Sequence, residues 1–535
     1  MRSRAWRSAA LAAGLVASLG LTACGGDDDD TGGDAAATPQ ASGGAGSSTE
    51  SVVLGTTDTV TSTDPAGAYD LGSWTLIYNL YQNLMKIQPG SATPVPDAAE
   101  SCDFTSPTVY TCKLKSGLKF SNGSDLTSED VKASFDRMVA IEDDSGPSSL
   151  FANLKSTAAP DPATVTMTLN NPDATWPFVL TTGAGAIVDS EVYPADELLP
   201  SDQAVGSGPY KLSTFTSGQQ AVFEPNESYA GDIELKNNGF IVQYYTEASA
   251  LKLAIEEGDV DVAYRSLAPT DIEDLRGESD QGVQVVEGNG TEIRYLTFQV
   301  NQAPSDNKAV RQAIAQLIDR QAIADQAYDG TVTPLYSMIP QGLDFHTEAF
   351  QEKYGEPDVE KAKALLGGAS TPVDITLWYT PTHYGPNAAD EITEIQRQLE
   401  ESGLFKVTIE NTEWQQYQTD YKAGTYPLYQ LGWFPDFPDP DNYSAPFLDG
   451  KGGYFNNGYE NPRLTELIAQ EQGSTEESER QAAFEEIQKI TAEDVPVLPI
   501  WQGKQIAAVR DGVTGVQDTF DPSFTFRFWL VSKQG

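Results

Sequence analysis

Segments with helical and with strand periodicity alternate along this chain, and no single motif restricts its possible folds as strongly. Thr127 precedes Ser128-Glu129-Asp130, after which Val131, Phe135, Met138 and Val139 recur on one face, as in an N-capped amphipathic helix. Val310, Ile314, Leu317 and Ile318 repeat that spacing, as do Phe484, Ile487 and Ile490. Ile392, Ile395 and Leu399 do so before a stop at Gly403. Residues 164–169, 374–379 and 406–410 read as strands. Residues 248–263 predict a helix, a stop at Gly258, and then Asp259-Val260-Asp261-Val262 as a strand. Such alternation builds α/β lobes that hold ligands in the cleft between them. With 535 residues, 39% of them hydrophobic, the chain supports about two or three domains.

The N-terminus indicates export. Arg2, Arg4 and Arg7 form a positive region, and residues 9–21 are apolar but too few to span a membrane. Leu21-Thr22-Ala23-Cys24 resembles the bacterial lipobox, which implies that residues 1–23 are a lipoprotein signal peptide and that Cys24 is diacylated. Residues 24–50 are rich in Gly, Ala, Ser, Thr and Asp and predict a flexible tether. The acidic run Asp27 to Asp30 lacks the glycine turn and distal glutamate of a calcium loop. No later stretch offers 18 apolar residues in a row, so lipid is the expected membrane anchor. That address is the extracellular face of the cell membrane. Cys102 and Cys112 remain, an even pair spaced ten apart across a Ser106-Pro107 turn. They predict a disulfide-stapled hairpin rather than a redox pair.

Charge and missing motifs exclude several function classes. Against 33 Lys and Arg stand 78 Asp and Glu, a formal charge of −45 that repels nucleic acid and suits cationic ligands. There is no Gly-x-Ser-x-Gly elbow, and Gly206-Ser207-Gly208 has the wrong spacing and runs into Pro209. Phosphate and dinucleotide loops are missing, so no cofactor is expected. The only histidines, His346 and His383, do not form a metal-ligand motif. No catalytic residue is therefore assigned.

The stretch Leu431-Gly-Trp-Phe-Pro-Asp-Phe-Pro-Asp-Pro-Asp-Asn-Tyr443 combines three prolines, three carboxylates and four aromatic rings. The prolines forbid a regular helix or a central strand and predict a rigid loop. An acidic loop walled by rings suits a cationic, partly apolar ligand. Asp436, Asp439 and Asp441 are the candidate anions, though Asp among prolines also makes ordinary turns.

Several segments, taken in order, resemble one family. They are Pro96 to Glu100 with Leu114 to Phe120, Asn122 to Phe135, Gly206-Ser207-Gly208-Pro209-Tyr210-Lys211-Leu212, Asn307 to Arg320, and Glu413-Trp414 followed by Gly432 to Asn442. Together they are similar to the extracellular solute-binding proteins, family 5, of bacterial ATP-binding-cassette importers. The resemblance implies a two-lobed clam of the periplasmic-binding-protein type II class with an additional domain. Its expected divisions are 51–89 with 201–290 and 500–535 as lobe I, 90–200 as the extra domain, and 291–499 as lobe II. It implies capture of di- to oligopeptides between the lobes and delivery to a permease and ATPase complex, with no enzymatic activity. Within the family motif, Asp436 matches the residue that takes a peptide's α-ammonium. Trp433 and Phe437 read equally as pocket wall or core, and His383 and Tyr384 fall where relatives line the cleft. No basic partner for a peptide carboxylate is apparent. The rival readings are another solute on the same fold (a nickel chelate, an oligosaccharide or an opine) and an exported hydrolase.

Overall fold

Two antiparallel strands of unusual length, Val283–Phe298 and Val497–Arg510, run side by side through the middle of the protein. With 16 and 14 residues they reach about 50 Å each. The second is buried along nearly its whole length, which explains its almost unbroken run of apolar and uncharged residues. Their register shifts between Asn289 and Ile293 and again between Arg294 and Tyr295, and such slips bend a sheet. The computed structural model describes residues 51–534 except 266, 369–370, 382 and 451–455. The expected signal peptide, the tether and Cys24 lie outside the described residues.

The sheet continues on both sides of this central pair. On one side follow Leu428–Trp433, Val373–Tyr379 and Phe405–Asn411. On the other follow Val262–Tyr264, Val52–Thr56, Phe240–Tyr244, Gln220–Pro225 and Tyr210–Thr216. Val373–Tyr379 pairs in parallel with both of its neighbours, so each connection must cross over. The helices Ala388–Glu401 and Trp414–Lys422 make those crossovers. Ile392, Ile395 and Leu399 bury the inner face of the first, and Gly403 ends it with a φ of +68°, a conformation that favours glycine. The result is the α/β fold that the alternating periodicity predicts, in the two-lobed form that the family resemblance implies.

A separate four-stranded antiparallel sheet carries Ala99–Ser106, Val109–Leu114, Thr164–Leu169 and Leu154–Asp161. Cys102 and Cys112 stand opposite each other in it and are joined by a disulfide. The helix Ser128–Ile141 lies over this sheet, capped reciprocally by Thr127 and Asp130, with Val131, Phe135 and Met138 buried. Arg137 of that helix forks onto the buried carboxylate of Asp64, at 2.8 Å to Oδ1 and 2.5 Å to Oδ2, and so ties this body to the segment that follows the strand Val52–Thr56.

One expected strand is displaced. Residues 259–261 are not part of it: the amides of Asp259 and Val260 close the preceding helix on the carbonyl of Ala254, and pairing begins at Val262. Asp261 donates its own amide to the Val53 carbonyl and accepts the amide of Val53 on Oδ2, each at 2.8 Å. The proline-rich stretch is also less uniform than predicted. Its first three residues finish the strand Leu428–Trp433, and residues 440–443 form a short 3-10 turn. Among the described residues, no helix is long and apolar enough to cross a membrane.

Candidate functional site

The strand Leu428–Trp433 delivers the acidic loop to the central strands, and Gly432 makes the approach possible. A Cβ there would sit 1.8 Å from Nη1 of Arg294, so any larger residue would have to displace that buried guanidinium. Beyond it the chain is held by one side chain, Asn442. Its Oδ1 accepts the backbone amide of Asp436 at 2.9 Å and the indole N–H of Trp433 at 3.1 Å. Its Nδ2 donates to Asp436 Oδ2 at 3.1 Å. Tyr443 anchors the far end by donating to the Thr291 carbonyl at 2.7 Å, on the central strand.

The three aspartates have different roles. Asp439 caps the 3-10 turn through the amide of Asp441 and forms a buried ion pair with Arg480 at 2.6 Å. Asp441 accepts from Gln472 at 3.0 Å and lies beside Glu471. Burial pushes its pKa up to about 6; the hydrogen bond with Glu471 opposes the rise, and the charges of Asp439 and Asp173 add to it. Both are structural carboxylates.

Asp436 is different. It is partly exposed on the wall of a cavity of about 630 Å³, measured with its open mouth, which it shares with Tyr78, Gln82, Lys86, Asp97 and Arg527. Tyr69, from a distant part of the chain, donates its hydroxyl to Asp436 Oδ1 at 2.8 Å. Loss of hydration pushes the carboxyl pKa upward, and the donors Asn442 and Tyr69 only partly offset it. Among the described residues, no lysine or arginine pairs with it. The site is therefore an anion held by neutral donors and facing open space.

The other candidate residues do not gather at this cavity. Phe437 is 5% exposed and packs on Phe178, within the core under the four-stranded sheet, so it is a core residue rather than a pocket wall. Trp433 packs edge-on against Phe447 and remains partly exposed. His383 stacks on Trp414 at 3.6 Å, and Tyr384 lies over the guanidinium of Arg294 at 4.1 Å. His383 keeps an exposed face, yet the surrounding protein and the nearby Arg294 push its pKa down to about 4. It is therefore neutral near pH 7. Tyr69 and Asn442 were not apparent as site residues. Nothing in the sequence near Tyr69 marks it as a partner, and Asn442 reads only as one more turn residue.

Comparison with known proteins supports the fold and gives the family. The chain is 27% identical over 481 residues to the probable D,D-dipeptide-binding periplasmic protein DdpA of Escherichia coli K12, covering 87% of this chain and 91% of that one. It is 26% identical over 484 residues to heme-binding protein A of Haemophilus influenzae, covering 82% and 85%. Its fold superposes with a TM-score of 0.77 on the periplasmic binding protein DppA of Helicobacter pylori, solved in complex with the peptide STSA. That match is 22% identical and covers 91% of this chain and 98% of the other. Residues 93–455 match the profile of the bacterial extracellular solute-binding proteins, family 5 Middle. A two-lobed fold, an unpaired carboxylate facing a cavity and a match over most of the chain lead to one assignment: this protein belongs to family 5 of the bacterial extracellular solute-binding proteins.

Proposed function

We propose that this protein captures peptides with a free amino terminus between its lobes and passes them to an importer's permease and ATPase complex. The observation that carries this reading is Asp436, a partly buried carboxylate on the cavity wall whose hydrogen-bond partners are neutral. A peptide α-ammonium supplies the missing positive charge. A charge-assisted hydrogen bond of this kind contributes about 1.5–3 kcal/mol. Relatives named for dipeptides and for di- and tripeptides support the same substrate class.

Lobe I comprises 51–89, 201–290 and 500–535 in this reading, lobe II comprises 291–499, and 90–200 is the extra domain. The long central strands make the hinge, and their register slips at residues 289–295 are where bending concentrates. Trp433, His383 and Tyr384 flank the ligand farther from its charged end. His383, neutral near pH 7, serves there as a stacking surface rather than as the partner of a carboxylate. Diacylation at Cys24 holds the protein to the extracellular face of the membrane through the 24–50 tether, and the protein has no catalytic role.

A non-peptide solute on the same fold is the second reading, favoured by the relative named for heme binding. One experiment separates the two. Di- to tetrapeptides with a free amino terminus raise the melting temperature, and their N-acetylated forms do not. Equal shifts for both forms, or none for either, would overturn the peptide reading.

A further inference from the structure

The cavity beside Asp436 contains more than one anion. Its charged groups are largely satisfied within the protein. Lys86 lies 3.3 Å from Asp97 Oδ1 and 2.5 Å from Asp232 Oδ1. Arg527 pairs with Asp521 at 2.6 Å and donates to the carbonyls of Thr525 and Ile87 and to Ser523 Oγ. What remains unmet is the side-chain amide of Gln82. Gln82, only 2% exposed, lines the cavity with neither Nε2 nor Oε1 partnered, although its backbone carbonyl accepts from Ile187. Asp97 lines the same cavity; its Oδ1 is paired with Lys86 at 3.3 Å and has a lone pair left for a second donor. Buried polar groups left unpaired cost free energy that a matching ligand group recovers.

We propose that Gln82 forms an amide-selective subsite and that the preferred ligand is a peptide whose first residue is asparagine or glutamine. This rests on Asp436 as the ammonium anchor, because both residues line one cavity and the first side chain is the group nearest that ammonium. A primary carboxamide offers one carbonyl and two N–H groups. The carbonyl accepts from Gln82 Nε2, one N–H donates to Gln82 Oε1, and the second donates to Asp97 Oδ1. Other side chains satisfy less of this set. A carboxylate leaves Gln82 Oε1 without a donor and faces Asp97. An ammonium leaves Nε2 without an acceptor, and an alkyl chain leaves both Gln82 groups unmet. Sites built to hydrogen-bond a polar group reject analogues that lack it, because their own polar atoms then stay buried and unpaired.

The test is calorimetry on the wild-type protein with tripeptides Xaa-Ala-Ala, where Xaa is Asn, Gln, Glu, Lys, Met or Leu, plus N-acetylated Asn-Ala-Ala. Glutamine-first peptide is freshly prepared, because its cyclisation removes the amine. The expected result is Asn or Gln first, about tenfold tighter than Met or Leu. Gln82→Leu should invert that order, with its melting temperature measured alongside. Equal or tighter binding of Met- or Leu-first peptides to the wild type, with acetylation still abolishing binding, overturns the amide subsite and leaves the Asp436 reading standing. Indifference to acetylation overturns both. The wild-type series decides the question even if Gln82→Leu does not fold.

Discussion

Replacing Asp436 by asparagine removes one charge and almost nothing else. The Asp436 backbone amide is held by Asn442 Oδ1 whatever its own side chain is. An asparagine oxygen can accept from Asn442 Nδ2 in place of Oδ2, and its amide nitrogen then faces the Tyr69 hydroxyl, which can accept as well as donate. The loop should therefore keep its shape. Because burial pushes the Asp436 pKa up, its charge costs stability in the empty protein, and Asp436→Asn should match or slightly exceed the wild-type melting temperature. Ligand binding is affected differently. Truncating one side of a desolvated ion pair costs about 3–5 kcal/mol, on the order of a hundred- to thousand-fold in affinity. Titration calorimetry with a peptide that binds the wild type reads the loss, and a thermal melt of the empty variant reads the fold. Affinity within threefold of wild type would refute the ammonium role. A melting temperature lower by many degrees would instead make Asp436 a structural residue.

Three further outcomes follow from the same geometry. Peptide affinity should be bell-shaped in pH: it falls in acid as Asp436, whose pKa is raised, takes up a proton, and falls above about pH 8 as the α-amine loses its own. Calorimetry across pH 4–9 checks this, and a flat acid limb contradicts it. Burial pushes the Asp441 pKa up to about 6 in the folded protein, above the 3.8 of a free aspartate, so the folded state binds the extra proton. Its contribution therefore favours folding below about pH 4 and is lost as pH rises through 6. The difference is about 2–3 kcal/mol, and Asp441→Asn should flatten that part of a denaturant-derived stability profile. Arg137→Ala leaves Asp64 buried and uncompensated and should cost about 3–5 kcal/mol in chemical denaturation, whereas a loss below about 1 kcal/mol would make the pair dispensable.

The fold was readable wherever local rules decide it. The helix from Thr127 was marked by its cap and its apolar spacing, and the structure forms it over Ser128–Ile141. Residues 164–169 were marked by alternation alone and form a strand with the same limits. The reading slipped at residues 259–261, where an apolar-acidic alternation looks like strand but the amides of Asp259 and Val260 are taken by the end of the helix. Local pattern does not reveal that competition for a donor. The site was less legible. The proline-rich acidic loop stood out, and its composition suggested a cationic ligand. Phe437 and Trp433 could not be told apart as core or wall, because both are large rings in the same loop, and only the contact with Phe178 places Phe437 in the core.

By itself the sequence determined the alternation of helices and strands, the acidic surface and the presence of a stiff loop of carboxylates and rings. These depend on spacing, caps and backbone restrictions that act within a few residues. Only the tertiary structure decided which carboxylate could meet a ligand. Asp439 is consumed by Arg480 and Asp441 lies beside Glu471, while Asp436 is left at a cavity with a tyrosine 367 positions away as its donor. Burial and pairing depend on what the folded chain brings alongside a residue, so three aspartates in one short stretch become two structural groups and one open anion.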